Sequence, residues 1–225
     1  MSHHEILPIT GLIVAGGKSS RMGRDKALIP FDGRPLLAVI GEKLSLVCKE
    51  VIVIGPPERK DLIPGAQVIQ DVHTEAGPLA GIHAGLNAAN SYWSLVVACD
   101  MPFLNIELMH YLASITEGYD IVLPRYDGHT HQLHALYSKK CISYIENQIE
   151  NKDYKIDRFF SKLKVRYVDE PELREHDSEL KSFFNLNYFS RVNSFVLWWC
   201  ANRFFSFKRT ILIFAFKFRF IHFKF

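Results

Sequence analysis

The chain has 225 residues, 48% of them hydrophobic and 23% charged, with a formal net charge of +3. That length suits one α/β domain with a substantial core, or one domain with an appendage, and leaves two ordinary domains cramped. The charge is uneven: residues 188–225 hold seven Lys/Arg and no Asp/Glu, so the preceding body is acidic, which argues against nucleic-acid binding by that body.

The apolar run at residues 9–15 predicts a buried strand, and a glycine-bearing loop over 16–26 follows it. Residues 34–47 show three- and four-residue apolar spacing and predict a helix, with Pro35 suited to its first turn. The β-branched run at 50–55 predicts a second strand, parallel to the first across a right-handed crossover. A weaker strand at 66–71 precedes a helix from Gly77-Pro78 to Asn90, whose small residues, Gly81 and Gly85 among them, indicate close packing. Residues 94–100 form a continuous apolar strand that ends on Asp100.

Beyond it the pattern predicts a helix at 105–116, strands at 120–124 and 133–137, helices at 139–151 and 155–163, and a late strand at 164–168. Strands alternating with helices imply an α/β fold with a largely parallel sheet covered on both faces. His129, His131 and His134 are close in sequence, but a strand through 131–137 would send alternate side chains to opposite faces, which disfavours a metal site. Cys48, Cys99, Cys141 and Cys200 form no C-x-x-C pair and read as free thiols of a reducing compartment. The N-terminus lacks the basic and apolar regions of a signal peptide, so a cytoplasmic location is expected.

Open α/β sheets bind ligands beyond the C-terminal ends of their strands, where both the 16–26 loop and Asp100 fall. Gly16, Gly17 and Gly23 allow main-chain N–H groups to approach an anion, and Lys18, Arg21, Arg24 and Lys26 supply positive charge. The loop is not G-x-x-x-x-G-K-[ST], because Arg24 follows Gly23, and it is not G-x-G-x-x-G, because Gly16 and Gly17 are adjacent. A glycine turn, clustered cations and a distant strand-end aspartate suit a nucleoside triphosphate with Mg²⁺. Cations neutralise polyphosphate and a hard carboxylate oxygen anchors the metal.

Taken together, Val14-Ala15-Gly16-Gly17, Ser20-Arg21-Met22-Gly23, Asp25-Lys26-Ala27-Leu28, Asp71, Gly77-Pro78-Leu79-Ala80-Gly81 and Cys99-Asp100-Met101-Pro102 resemble the molybdenum cofactor guanylyltransferases. The likeness runs collinearly from about residue 10 to residue 187. It implies a Rossmann-like nucleotidyltransferase fold, three layers α/β/α around a mostly parallel sheet. It also implies transfer of GMP from GTP to molybdopterin, with Mg²⁺ as cofactor and pyrophosphate released.

Position by position, the resemblance implies that Val14, Ala15, Gly16 and Gly17 hold the nucleotide, with Lys26 on its phosphates and Arg21 beside them. Asp71 falls on the nucleoside side, Asp100 binds GTP and Mg²⁺, and Asn185 and Asn187 begin an N-x-N motif near the acceptor. Ile54 stands where the family often has a polar nucleotide contact. GTP and molybdopterin are the expected partners of a monomeric chain without a transmembrane span. The rivals are a cytidylyl- or sugar-phosphate nucleotidyltransferase and a nucleotide-binding adaptor without catalysis.

The nucleotidyltransferase domain is expected to occupy residues 1–187. Residues 188–225 contain 11 of the 17 Phe and no Gly, Pro, Asp or Glu. There, Tyr188-Phe189-Ser190-Arg191 replaces the family's Thr-Pro-Glu-Asp type of helix start, which suggests an altered reading frame or an unrelated extension. The longest uncharged run in that tail, 192–202, is too short to cross a bilayer.

Overall fold

Residues 11–14 are apolar without alternation because the strand they belong to is covered on both faces. In the computed structural model, which describes residues 5–16, 25–71 and 73–186, this strand is β1 (Leu7–Val14), at the middle of the sheet. It pairs in parallel with β4 (Cys48–Ile54) on one side and β6 (Trp93–Ala98) on the other. β5 (Gln67–Ile69) extends the parallel set beyond β4.

Past β6 lie β9 (His134–Ser138), β7 (Ile121–Tyr126) and β10 (Val165–Asp169), giving the order β10-β7-β9-β6-β1-β4-β5. Both neighbours of β9 run antiparallel to it while β10 runs parallel to β7, so β9 is the reversed strand of that path. The short β8 (His129–Thr130) folds back on β7 as a hairpin. The sheet is therefore mostly parallel, as the sequence pattern predicts.

Period-two alternation along each strand divides the core into two layers. Ile13, Val53 and Val97 face a layer with α1 (Leu36–Ser45), α3 (Ile106–Ser114) and α5 (Glu170–His176). Leu12, Val14, Ile52, Ile54 and Val96 face the other, with α2 (Pro78–Ala88) and α4 (Cys141–Glu150). Each fully buried Leu or Ile in these layers stabilises the fold by about 1.5–3 kcal/mol.

The small residues of α2 do pack closely. A Cβ at Gly81 would lie 2.9 Å from Val14 Cγ1, and one at Gly85 would lie 2.8 Å from Leu12 Cδ1. Both glycines let α2 sit directly on the strand that leads into the 16–26 loop.

Four local expectations differ from what is seen. Pro35 is not in a helical turn: it belongs to β3 (Arg34–Pro35), paired with β2 (Pro30–Phe31), and caps α1 from outside. The intervening Asp32-Gly33 has φ of 52° and 78°, the left-handed pair of a tight hairpin turn. The helix expected at 155–163 is a 3-10 helix, Ile156–Lys162, whose Phe159 and Phe160 pack under Tyr137. His131 precedes β9 and does not alternate with His134 along it, and both rings pack on Phe183. The fourth is α5, a helix with Pro171 in its first turn that the spacing did not indicate.

Among the described residues no helix is long and apolar enough to cross a membrane. Cys48 and Cys141 are buried free thiols and Cys99 is partly covered, while Cys200 and the rest of the 188–225 tail lie outside the described residues.

Candidate functional site

Because β5, β4, β1 and β6 are parallel, their C-terminal ends lie along one edge, and main-chain bonds lace those ends together just past the strands. Cys99 N–H donates to Val14 O at 3.3 Å, Ala15 N–H to Ile54 O at 2.9 Å, and Gly55 N–H to Ile69 O at 2.8 Å. The platform beneath the loop is thus fixed by backbone chemistry that any side chain would permit.

Two carboxylates stand on this edge. Asp71 follows β5 and Asp100 follows β6, with β4 and β1 between them, about 14 Å at ordinary strand spacing. The loop connects their neighbourhoods. At its entry, Gly16 passes so near Asp71 that a Cβ there would be 3.2 Å from Oδ2. At its exit, Lys26 Nζ lies 3.8 Å from Asp100 Oδ2.

Asp71 Oδ1 is buried with no hydrogen-bond partner among the described residues. Burial pushes the Asp71 carboxyl above its ordinary value, and the nearby Glu75 adds to that, against an opposing contribution from His73. Asp100 is only 5% exposed. Burial pushes its carboxyl up as well, although Lys26 and a hydrogen bond from Asn185 both favour its charged form. The neighbouring Cys99 thiol is pushed up to about 11, by burial first and then by the Asp100 charge. Held that high, Cys99 is no thiolate nucleophile at neutral pH.

The late segment is fastened against this centre. Asp177 accepts from the N–H groups of Lys181 at 3.3 Å and Ser182 at 2.9 Å, and Ser182 Oγ accepts from Asn105 N–H at 2.8 Å. Those bonds carry Asn185 to the Asp100 carboxylate, and Leu186 N–H donates to the Asp100 carbonyl at 3.0 Å.

The structure therefore brings together Val14, Ala15, Gly16 and Asp71 on one side and Lys26, Asp100 and Asn185 on the other. Gly17, Arg21 and Asn187 lie outside the described residues. The residue that sequence reasoning missed is Arg59, in the 3-10 helix Pro57–Leu62 after β4. The residue is 7% exposed, and its guanidinium donates from Nη1 to Ala15 O at 2.6 Å and from Nη2 to Asp25 Oδ1 at 2.9 Å. Asp25 in turn accepts from Ala27 N–H at 3.0 Å and caps the short helix Lys26–Leu28. Nothing in the local pattern Pro56-Pro57-Glu58-Arg59-Lys60 distinguishes Arg59 from its exposed neighbours.

Comparison with known proteins identifies the family. Residues 11–167 match the family model described as a MobA-like NTP transferase domain. A probable molybdenum cofactor guanylyltransferase of Pelotomaculum thermopropionicum is 41% identical over 182 residues, which covers 81% of this chain and 89% of that protein. One from Clostridium perfringens is 37% identical over 180 residues, covering 78% and 89%. The crystal structure of molybdopterin-guanine dinucleotide biosynthesis protein A from Archaeoglobus fulgidus superimposes with a TM-score of 0.69 at 29% identity, covering 80% of this chain and 92% of that one. With more than half of its length inside the family model and relatives 41% and 37% identical over 81% and 78% of its length, the chain belongs to the MobA-like NTP transferase family of nucleotidyltransferases.

Proposed function

We propose that the chain is a Mg²⁺-dependent molybdenum cofactor guanylyltransferase that moves GMP from GTP to molybdopterin. The observation that carries this reading is the convergence on Asp100 of Lys26 from the glycine loop and Asn185 from the late segment. Nucleotide side and acceptor side then meet at one carboxylate.

In the reaction, an oxygen of the terminal phosphate of molybdopterin attacks the α-phosphorus of GTP. A new P–O bond forms, the bond from that phosphorus to the bridging oxygen breaks, and pyrophosphate leaves with the electron pair. Lys26 and Arg21 neutralise the charge that grows on the phosphoryl oxygens. Gly16 and Gly17 present main-chain N–H groups to the nucleotide. Ala15 N–H is already bonded to Ile54, so Val14 and Ala15 contribute contact surface and their remaining carbonyl lone pairs. Asp71, whose buried Oδ1 has no partner among the described residues, accepts a hydrogen bond on the nucleoside side. Asn185 and Asn187 orient the acceptor.

The residues present fit the metal. Asp100 offers a hard carboxylate oxygen whose charge is opposed by burial even beside Lys26, so a divalent cation there relieves a standing cost. When bound at Asp100, Mg²⁺ supplies further positive charge to the triphosphate.

We assign this activity to residues 1–187 of a monomeric, cytoplasmic enzyme and leave residues 188–225 outside the catalytic domain. A thermal-shift panel of GTP, CTP, UTP and ATP with Mg²⁺ tests the nucleotide, since a bound ligand raises Tm by mass action. GTP is expected to give the largest shift. A larger shift with CTP or UTP points to a different nucleotidyltransferase. Pyrophosphate release with GTP and molybdopterin then tests the transfer, and binding without release favours an adaptor.

A further inference from the structure

The function proposed above leaves Arg59 without a role, although it is buried, at 7% exposure, against both described ends of the loop. We infer that Arg59 is a positioning residue, the clasp that closes the neck of the phosphate loop by tying the residue before it to the residue after it. Nη1 holds Ala15 O at 2.6 Å, and Nη2 holds both carboxylate oxygens of Asp25, at 2.9 and 3.0 Å. These partners lie 44 and 34 residues away in sequence, and between them runs the whole glycine loop.

The clasp acts on Lys26 through Asp25. That carboxylate is shared between the guanidinium and Ala27 N–H, so its position sets the short helix Lys26–Leu28. Lys26 begins that helix and reaches Asp100 from it. Ala15, at the other end of the clasp, immediately precedes the Gly16 that passes Asp71. One guanidinium therefore fixes the separation of the two loop ends, each beside its own carboxylate.

Two further observations separate this role from direct phosphate binding and from simple fold stabilisation. Both terminal nitrogens are engaged by protein oxygens and the side chain is only 8% exposed, so the group does not face a ligand in the manner of Lys26, whose side chain is 27% exposed. Space has also been kept for it: a Cβ at Gly55 would lie 2.7 Å from Nη1. Meanwhile Nε is buried without a partner among the described residues, a cost that an apolar side chain would avoid. A lysine cannot replace the bridge, because one ammonium is a point charge and cannot hold two diverging acceptors in fixed relative positions.

The inference rests on the proposed transfer for its kinetic readout, so a second readout is independent of nucleotide. Amide hydrogen exchange over residues 25–28 in the nucleotide-free protein is compared among wild type, Arg59→Lys, Arg59→Met and Asp25→Ala. Asp25 has a 38% exposed side chain, so its replacement opens the clasp from the other end even if an Arg59 variant fails to fold. Faster exchange at 25–28 in Arg59→Lys and Asp25→Ala, larger than any change along the central strands β1 and β6, is the expected result.

In the transfer assay with GTP and molybdopterin, kcat/KM is expected to fall about 10–100-fold in both, the loss that misplacement by about an ångström produces. The Arg59→Met/Asp25→Ala double variant should be no worse than the poorer single variant. Wild-type exchange in Arg59→Lys, full kinetic rescue by that lysine, or additive losses in the double variant would each overturn the clasp. If wild type turns over no GTP, the proposed function fails, and the exchange comparison alone decides the clasp.

Discussion

Asp100 and Asp120 are both covered carboxylates at the ends of sheet strands, 5% and 6% exposed, yet their environments push them in opposite directions. Asp120 precedes β7, at the edge of the sheet opposite the loop. Its Oδ1 accepts from Lys140 Nζ at 2.9 Å and its Oδ2 from Lys164 N–H at 3.0 Å, which together hold its carboxyl below the ordinary range. Asp100 has Lys26 at 3.8 Å and Asn185, and burial still outweighs them. A carboxylate that stabilises a fold is fully matched by its neighbours. At Asp100 burial outweighs the partners named, the kind of perturbed carboxylate that marks a candidate site.

The largest test of that contrast is Asp100→Asn. Pyrophosphate release is expected to fall by about 10²–10³-fold, the scale for losing one preorganised electrostatic group. Tm of the metal-free protein is expected to rise, because a neutral amide removes an ionised group that burial disfavours. A fall in that Tm would break the contrast. Lys26→Ala comes next: losing its charge-assisted contacts is expected to cost about 1.5–3 kcal/mol in kcat/KM for GTP. Asp120→Ala should do the reverse of Asp100→Asn, lowering Tm by a few degrees in calorimetry while kcat/KM at room temperature stays at the wild-type value.

The smallest effect is on pH dependence. Asp120, with a depressed folded value, contributes stability that is present above the unfolded carboxylate value near pH 4 and is lost as pH falls through the folded one. Asp100, with a raised value, has the opposite sign, and its ionisation costs stability as pH rises through the raised value. Urea midpoints of the metal-free variants across about pH 3 to 7 should therefore lie below wild type for Asp120→Ala and above it for Asp100→Asn near neutrality, both differences shrinking as the pH falls toward 3.

How far the site could be read from the sequence follows the same division. Gly16 and Asp100 were legible because each follows an apolar run, on the edge where parallel strand ends collect, and Lys26 because it stands among clustered cations, whereas the place of Asp71 came only with the family resemblance. Asp32-Gly33 carried a hairpin signal that the helical spacing of the following residues obscured. Residues 155–163 had apolar spacing suited to a helix, but Phe159 and Phe160 are adjacent and both buried, which the tighter 3-10 turn accommodates. Arg59 was illegible for a different reason. Its importance comes from a carbonyl and a carboxylate brought to it by the fold, and no local pattern records such a meeting.

The bond from Leu186 N–H to the Asp100 carbonyl has a consequence for synthesis. A growing chain acquires β1, the glycine loop and Asp100 early, since domains form from the N-terminus as they emerge. The turn that bears Asp100 is not completed until a residue 86 positions downstream has arrived and the segment anchored by Asp177 has docked. On the ribosome, the protein thus holds its central strands long before it holds a finished centre.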